Sequence, residues 1–110
     1  MEPKLNVWLE MEGEVVLSLW RVELLTAVAQ TGSISAAAAH MGVPYRIAWQ
    51  KIHEMESRLG QKLVETQTGG KHGGGATLTQ LAQEYIDRFN RLSQELDALL
   101  QERFPAIFPD

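Results

Sequence analysis

Basic side chains between residues 44 and 75 are the groups in this sequence best suited to binding a polyanion. This stretch holds five basic residues and three acidic ones, although the 110-residue chain has a formal net charge of −4. Most of the other acidic residues lie between Glu2 and Glu14 and from Glu84 onward. Because charge distribution matters more than the sum for nucleic-acid binding, this pattern permits a polyanion-binding surface. The basic residues are Arg46, Lys51, Arg58, Lys62 and Lys71.

The sequence contains few of the residue patterns that form catalytic or metal-binding sites. Cysteine is absent, which excludes disulfides, thiolate metal sites and a cysteine nucleophile. His40, His53 and His72 are too far apart in sequence to form a close metal-binding pair. Neither clustered carboxylates nor a nucleophile motif is visible. The sequence therefore predicts a protein that is not an enzyme and that has no metal or cofactor.

Length and composition predict one folded domain over residues 1–110. Apolar residues make up 45% of the chain and charged residues 22%, which are ordinary values for a folded soluble protein. No apolar run approaches the roughly 20 residues that cross a bilayer, and the N-terminus lacks the layout of a signal peptide. We therefore expect a cytoplasmic protein without a membrane partner.

The first sixty residues predict a hairpin followed by three helices. Residues 1–18 are predicted to form a β-hairpin. Apolar and polar side chains alternate from Lys4, with Leu5 and Met11 at the ends of one expected face, and Gly13 breaks the run before it resumes. Residues 19–30 have the apolar spacing of an amphipathic helix that Gly32 ends. A short alanine-rich helix follows, with Ser33 or Ser35 as its N-cap.

The third predicted helix is the element that would present several of the basic residues. Gly42 ends the second helix, and Pro44 suits the first turn of the third. One face of the third helix is apolar, and polar or aromatic residues lie on the others. The apolar residues are Ala48, Ile52, Met55 and Leu59; the others are Tyr45, Arg46, Trp49, Gln50 and His53. Two helices joined by about three or four residues are typical of a helix-turn-helix, although an ordinary αα corner is the alternative.

Residues 61–78 predict two short strands around the glycine-rich segment TGGKHGGG. This segment lacks the Lys-Ser/Thr ending and the following helix of a P-loop, so nucleotide hydrolysis is not indicated. Lys71 and His72 in such a loop are suited to lie along a DNA backbone, whereas a solvent-exposed loop is the simpler alternative. A strand pair directly after a candidate recognition helix is typical of a winged helix.

The last predicted helix spans residues 79–103 and begins at the cap residue Thr79. An apolar stripe repeats along it at intervals close to the 3.5 residues of a coiled coil, which favours dimerisation over folding wholly onto its own core. We expect the prolines in FPAIFPD to prevent further helix. The stripe contains Leu81, Tyr85, Phe89, Leu92, Leu96 and Leu99.

Three segments of the chain together resemble the DNA-binding domain of the molybdate-responsive regulators called ModE. They are KLNVWLEMEGEVVLS, TGSISAAAAHMGVPYRIAWQKIHEME and LVETQTGGKHGGGATLT. The part from Gly32 to the wing is more distantly similar to the LysR-type winged helix-turn-helix. The resemblance implies a mainly helical fold with small β elements, namely a winged helix-turn-helix with an N-terminal β-hairpin and a long C-terminal dimerisation helix.

The resemblance also implies a homodimeric transcription factor with its third helix in the DNA major groove. Arg46 would then read a guanine, because arginine can donate two hydrogen bonds to that base. Trp49 would either contact bases or brace the third helix against the wing, and His72 stands where the family often has glycine or a basic residue. Residues that the resemblance implies to contact DNA are Ser33, Ser35, Pro44, Tyr45, Arg46, Trp49, Gln50, Gly70, Lys71 and His72. Lys51 and Lys62 are expected, from their charge, to contact phosphate as Lys71 does.

One departure from the family concerns the effector. Full-length regulators of this kind carry a molybdate-binding region after the dimerisation helix, whereas this chain stops at Asp110. The chain would be a one-domain member without its own effector, the DNA-binding partner of a separate oxyanion sensor, or a fragment. Its start methionine and proline-containing end favour the first interpretation.

Two functional hypotheses follow. The first is sequence-specific binding of double-stranded DNA by a homodimer. The second is a winged-helix module for protein–protein contact, which the acidic net charge favours.

Overall fold

The computed structural model of this protein describes residues 1–67 and 74–109. Helices predominate in it, and two short antiparallel strand pairs accompany them. The elements are β1 (Trp8–Met11), β2 (Glu14–Ser18), α1 (Leu19–Thr31), α2 (Ile34–Met41), α3 (Tyr45–Leu59), β3 (Val64–Gln67), β4 (Gly75–Leu78) and α4 (Gln80–Ile107). This architecture confirms the predicted winged helix-turn-helix with an N-terminal hairpin and a long C-terminal helix.

The N-terminal hairpin buries its second strand more than its first. Glu12 and Gly13 form its turn with positive φ angles of 52° and 81°. The register shifts after Leu9, which pairs with Leu17, because the next pair is Glu10 with Val15. Val16 is therefore the extra residue of a β-bulge, and both it and Leu17 are buried.

The apolar face expected for the first strand of this hairpin is formed only in its middle. Leu5 lies before β1, and its side chain is 47% exposed, while Met11 at the other end is 45% exposed. Val7 and Leu9 between them pack partly against the core. The predicted alternation therefore holds at Val7 and Leu9, while Leu5 and Met11 lie largely in solvent at the two ends of the face.

The helix-turn-helix has the boundaries that its capping residues predict. The Ser33 hydroxyl accepts a hydrogen bond from the Ala36 amide at 2.9 Å, so Ser33 is the N-cap of α2. Gly42 ends α2 with a φ of 70°. Pro44 lies one position earlier than expected: it is the N-cap of α3, and its carbonyl accepts from the Ile47 amide at 3.0 Å.

The core surrounds α1 and holds α3 and the wing strands β3 and β4 in place. Side chains of α1, including Leu24 and Leu25, are fully buried. The predicted apolar face of α3 packs there, with Ala48, Ile52 and Met55 each at 0% exposure. A hydrogen bond of 2.8 Å from the Ala76 amide to the Gly32 carbonyl ties β4 to the α1–α2 turn.

Helix α4 is longer than the sequence predicts. The hydroxyl of Thr79 accepts from the Ala82 amide at 3.2 Å and confirms the predicted start, but the helix continues through Pro105 to Ile107. The expectation that the prolines prevent further helix was therefore wrong for Pro105. A proline this close to the C-terminus removes only one backbone donor, and the last turn closes through a 2.8 Å bond from the Phe108 amide to the Phe104 carbonyl.

None of the helices in residues 1–67 and 74–109 combines the length and the apolar character that a membrane crossing requires.

Candidate nucleic-acid interface

Helix α3 presents one polar and aromatic face to solvent. Tyr45 is 51% exposed and Trp49 is 44% exposed, and both Arg46 and Gln50 are exposed. Arg46, Trp49 and Gln50 lie on sides of the helix other than the buried one, and Tyr45 is exposed in its first turn. Since the core holds the opposite side, this face of α3 is free to contact a large partner.

A stacked pair of aromatic rings stiffens the middle of this face. The Trp49 and His53 rings stack with their centroids 3.8 Å apart and their planes at 22°. The Nδ1 atom of His53 lies 2.8 Å from the Trp49 carbonyl, which can only accept, so Nδ1 donates in this bond. Nε2 lies 3.9 Å from the Glu56 carboxylate. His53 thus orients the Trp49 indole, a contact whose i, i+4 spacing is visible in the sequence.

An open groove of about 350 Å³ lies between α3, the start of α2 and the wing strands. Trp49 and Tyr45 line one side and Ser35 another. Gln67 and Gly75, from β3 and β4, line the side opposite. The groove therefore brings together residues from the helix-turn-helix and the wing that are distant in sequence.

The two serines predicted to contact phosphate have different environments. Ser33 uses its hydroxyl as the α2 cap and is partly buried. Ser35 is exposed in the first turn of α2 and lines the groove. Because the first amides of a helix favour an anion, Ser35 is the better placed of the two for a phosphate contact.

Lys51 is set apart from the other predicted contact residues. Its ammonium lies 3.6 Å from Glu54, and its side chain is 36% exposed. Helical geometry places Lys51 well around the helix from Arg46, since five residues advance the helix by about 500°. Lys62, before β3, is exposed, and its carbonyl accepts from the Thr79 hydroxyl at 2.9 Å. Gly70, Lys71 and His72 lie outside the described residues.

A charged network behind α3 was not anticipated from the sequence. The guanidinium of Arg21, in α1, donates to the Glu54 carboxylate at 3.1 Å and to the Lys51 carbonyl at 3.3 Å. Arg21 is only 8% exposed. An arginine within the apolar pattern of α1 is the signal that could have indicated a buried ion pair, because such charges are almost always paired.

Glu54 is ionised more readily in this network than an isolated glutamate. Burial alone raises the pKa of its carboxyl group, but the hydrogen bond from Arg21 and the positive charges of Lys51, Arg21 and Arg58 outweigh that effect. The net result is a pKa below the ordinary value of 4.5. A lowered pKa means that the ionised carboxylate stabilises the fold above about pH 4.5, and this contribution is lost as the pH falls through the folded-state pKa.

Glu54→Gln is expected to flatten the acid dependence of stability. At about pH 7 the variant should lose about 1.5–3 kcal/mol of unfolding free energy, because Arg21 loses a charged hydrogen-bond partner. The difference between the two proteins should shrink as the pH falls below about 4.5 toward pH 3, because Glu54 then takes up a proton more readily in the unfolded chain than in the folded one. Urea unfolding at both pH values measures this. The matched control is Glu84→Gln, which removes a solvent-exposed carboxylate 4.0 Å from Arg88. Equal acid losses in wild type and Glu54→Gln would contradict the assignment.

The apolar stripe of α4 is divided between the protomer's own core and solvent. Phe89, predicted at a dimer interface, is only 2% exposed in the core of this protomer. Leu92 is 38% exposed and Leu99 is 51% exposed. Leu81, Tyr85 and Leu96 are partly buried. Phe89 therefore has almost no surface left for a second protomer, whereas the leucines after it do.

The sequence profile of a family described as bacterial regulatory helix-turn-helix proteins, lysR family, matches residues 19–83. The match covers more than half of the chain and includes both helices of the helix-turn-helix as well as the wing strands. This chain belongs to the lysR family. The family consists of regulatory proteins, in agreement with the prediction that the chain is not an enzyme.

Curated relatives agree with the more specific resemblance. The chain is 37% identical over 110 residues to the DNA-binding transcriptional dual regulator ModE of Escherichia coli strain K12. This alignment covers all of this chain and 40% of that protein. It is 40% identical over 80 residues to the molybdenum-pterin-binding protein MopB of Rhodobacter capsulatus, covering 73% of this chain and 30% of MopB. The chain thus spans less than half the length of these relatives, and it is similar to the DNA-binding domain of ModE-type regulators.

Solved structures share the fold. The crystal structure of the CbnR_DBD–DNA complex matches with a TM-score of 0.60 and 24% identity, covering 83% of this chain and 98% of that one. Full-length CbnR complexed with its target DNA matches with a TM-score of 0.58 and 23% identity, covering 82% of this chain and 29% of that one.

Proposed function

We propose that this chain binds double-stranded DNA in a sequence-specific manner as a homodimer and thereby regulates transcription. The observation that carries the proposal is the exposed face of α3, on which Tyr45, Arg46, Trp49 and Gln50 all have access to solvent. A helix that follows the helix-turn-helix turn and is free on its outer side has the geometry needed to enter the major groove.

Arg46 is the residue we assign to base recognition. It lies in the first turn of α3, where recognition helices contact base edges. Among the described residues it has none of the ion pairs that occupy Lys51 and Arg58. A guanidinium not held by a carboxylate is available to donate two hydrogen bonds to guanine. Gln50 is also exposed, and its side-chain amide can donate one hydrogen bond to adenine and accept another from it.

The groove between α3 and the wing strands is suited to the flanking DNA backbone. Ser35 lines the groove with a hydroxyl. In the sequence, Lys62 just before β3 and Lys71 between β3 and β4 add two positive charges to the wing. Such contacts hold the protein in register on the duplex without selecting a sequence. We therefore assign α3 to specificity and the wing side to affinity.

The exposed leucines of α4 support a homodimer. Leu92 and Leu99 are separated by seven residues and thus lie on the same side of the helix, outside the protomer's own core. Pairing them with a second copy would place two α3 helices on one duplex. Half-sites for such a dimer are expected about 34 Å apart, one turn of B-form DNA.

The biological setting follows from the names of the relatives. ModE of Escherichia coli is a DNA-binding transcriptional regulator, and MopB is a molybdenum-pterin-binding protein. We therefore propose a role in molybdenum-related regulation in the bacterial cytoplasm, where chromosomal DNA lies. Oxyanion sensing we assign to polypeptide outside these 110 residues, either a further region or a separate partner.

A salt titration of DNA binding tests the proposed function. The protein should enrich one sequence from a random-sequence duplex library, here called the selected duplex. Its affinity for that duplex should fall steeply between about 50 and 200 mM salt, because bound phosphates release counterions. A scrambled duplex of equal length is the control and should bind more weakly at every salt concentration. Failure to retard either duplex at the lowest salt would favour a protein-contact module instead.

A further inference from the structure

The N-terminal hairpin is attached directly to the back of α3. Arg58, in the last turn of α3, donates from one guanidinium nitrogen to the Val15 carbonyl of β2 at 2.6 Å. Its other terminal nitrogen lies 3.1 Å from the Glu14 carboxylate. One arginine therefore holds both a backbone and a side-chain group of the hairpin, and its planar guanidinium fixes their relative positions.

The same arginine connects the hairpin to the charged network behind α3. Its guanidinium is 3.9 Å from the Glu54 carboxylate, which also accepts the hydrogen bond from Arg21. The Arg58 side chain is 27% exposed and that of Glu54 is 24% exposed, so solvent screens these charges only in part. The network joins α1, α3 and β2.

Helix α3 is also attached directly to the wing. The Glu56 carboxylate accepts from the Leu63 amide at 2.8 Å and from the Val64 amide at 3.1 Å. Opposite sides of the last turn of α3 are therefore fixed to β2 by Arg58 and to the start of β3 by Glu56. A small rotation of α3 would change both attachments together. The hairpin itself lies outside residues 19–83, the part of the chain shared with the lysR family.

We propose that Arg58 is a positioning residue that uses the N-terminal hairpin to set the orientation of α3 for sequence recognition. Arg58 does not touch DNA in this assignment. It acts through the backbone of α3, so its loss alters where Arg46 and Gln50 point. The hairpin is then a working part of the DNA-reading unit, and the inference rests on the proposed function.

Arg58→Ala is expected to lower affinity for the selected duplex about 2- to 30-fold, the range typical of residues that couple two parts of a protein. Affinity for the scrambled duplex should change much less, because phosphate contacts tolerate a misoriented helix. Arg58→Lys keeps the charge but not the two-pronged donor, so it should recover only part of the preference. Glu14→Gln, on the 62% exposed hairpin side of the pair, should weaken the preference slightly without threatening the fold.

The matched control is Arg91→Ala, which removes an arginine whose side chain is 80% exposed and lies 3.7 Å from Glu95 on α4. It should leave the ratio of the two affinities unchanged. If Arg58→Ala reduces binding to both duplexes by the same factor, or to neither, Arg58 has no positioning role. Full recovery by Arg58→Lys would equally overturn the proposal, since charge alone would then suffice.

Hydrogen exchange separates failure of this inference from failure of DNA binding. In the free protein, Arg58→Ala should speed amide exchange in the last two turns of α3, where the hairpin attachment is lost, more than in α1. Arg91→Ala should change neither helix. If amide exchange in α3 is unchanged in Arg58→Ala, the attachment of the hairpin through Arg58 is refuted, even where the wild type binds DNA. If the wild type shows no sequence preference, the proposed function is refuted, and with it the role of Arg58 in sequence recognition.

Discussion

A protein carrying Leu92→Asp together with Leu99→Asp is expected to be monomeric and to bind the selected duplex about 100- to 10,000-fold more weakly than wild type. In a dimer, binding of one protomer to its half-site holds the second protomer near the other half-site at a high effective concentration. A monomer loses this advantage, so its affinity for the duplex falls. Both leucines are exposed in the protomer, at 38% and 51%, so the substitutions spare its core. Sedimentation equilibrium and a binding titration on the same samples measure the effect.

The control for this prediction uses the other side of α4. Gln94→Asp together with Ala98→Asp adds the same two charges at exposed positions that face away from the leucines. This variant should remain dimeric and bind as wild type does, apart from a small general repulsion of DNA. A leucine variant that stays dimeric, or one that becomes monomeric and still binds with wild-type affinity, would contradict the assignment of α4 to dimerisation.

Arg46→Ala is expected to relax sequence preference at one position of each half-site. A bidentate arginine–guanine contact discriminates against other bases by about 1–3 kcal/mol, so two half-sites together should lose about 2–6 kcal/mol of specificity. Stability should change little because Arg46 is exposed at the start of α3. Repeating the selection from the random-sequence library with the variant identifies the relaxed position directly.

Lys62→Ala is the contrasting variant, because it removes a positive charge that we assign to the DNA phosphate backbone and not to the bases. It should weaken binding to all sequences and lower the slope of affinity against salt by about one for each protomer. If Arg46→Ala leaves every position of the selected sequence as constrained as before, the base-reading role belongs to another residue of α3, with Gln50 the first to examine.

Several features were predicted from the sequence because each depends on residues close together in the chain. Gly32 and Gly42 end their helices in the left-handed conformation that glycine tolerates, with φ angles of 80° and 70°. Ser33 and Thr79 start helices through side-chain bonds to amides three residues ahead. The 3.6-residue repeat of α3 identified its buried face in the same way.

The candidate contact face of α3 was also predictable, since it is the complement of a buried face with a clear period. Arg46, Trp49 and Gln50 are exposed, as their positions on the helix predict, and Tyr45 in the first turn is exposed as well. Lys51 shows the limit of this reasoning. Its charge suggested a phosphate contact, but its neighbour in space is Glu54, and the sequence pattern alone does not show which charges are already paired.

Local sequence therefore determined where helices, strands and caps occur and which side of α3 is apolar, because caps and periodicity act over a few residues. Tertiary structure decided how these parts are joined: Arg21 meets the Lys51 carbonyl from 30 residues away, and Arg58 meets Val15 from 43. It also divided the α4 stripe, enclosing Phe89 and leaving Leu99 exposed. The physical reason is that pairing and burial depend on which surfaces meet in three dimensions, and many distant pairings are compatible with the same local pattern.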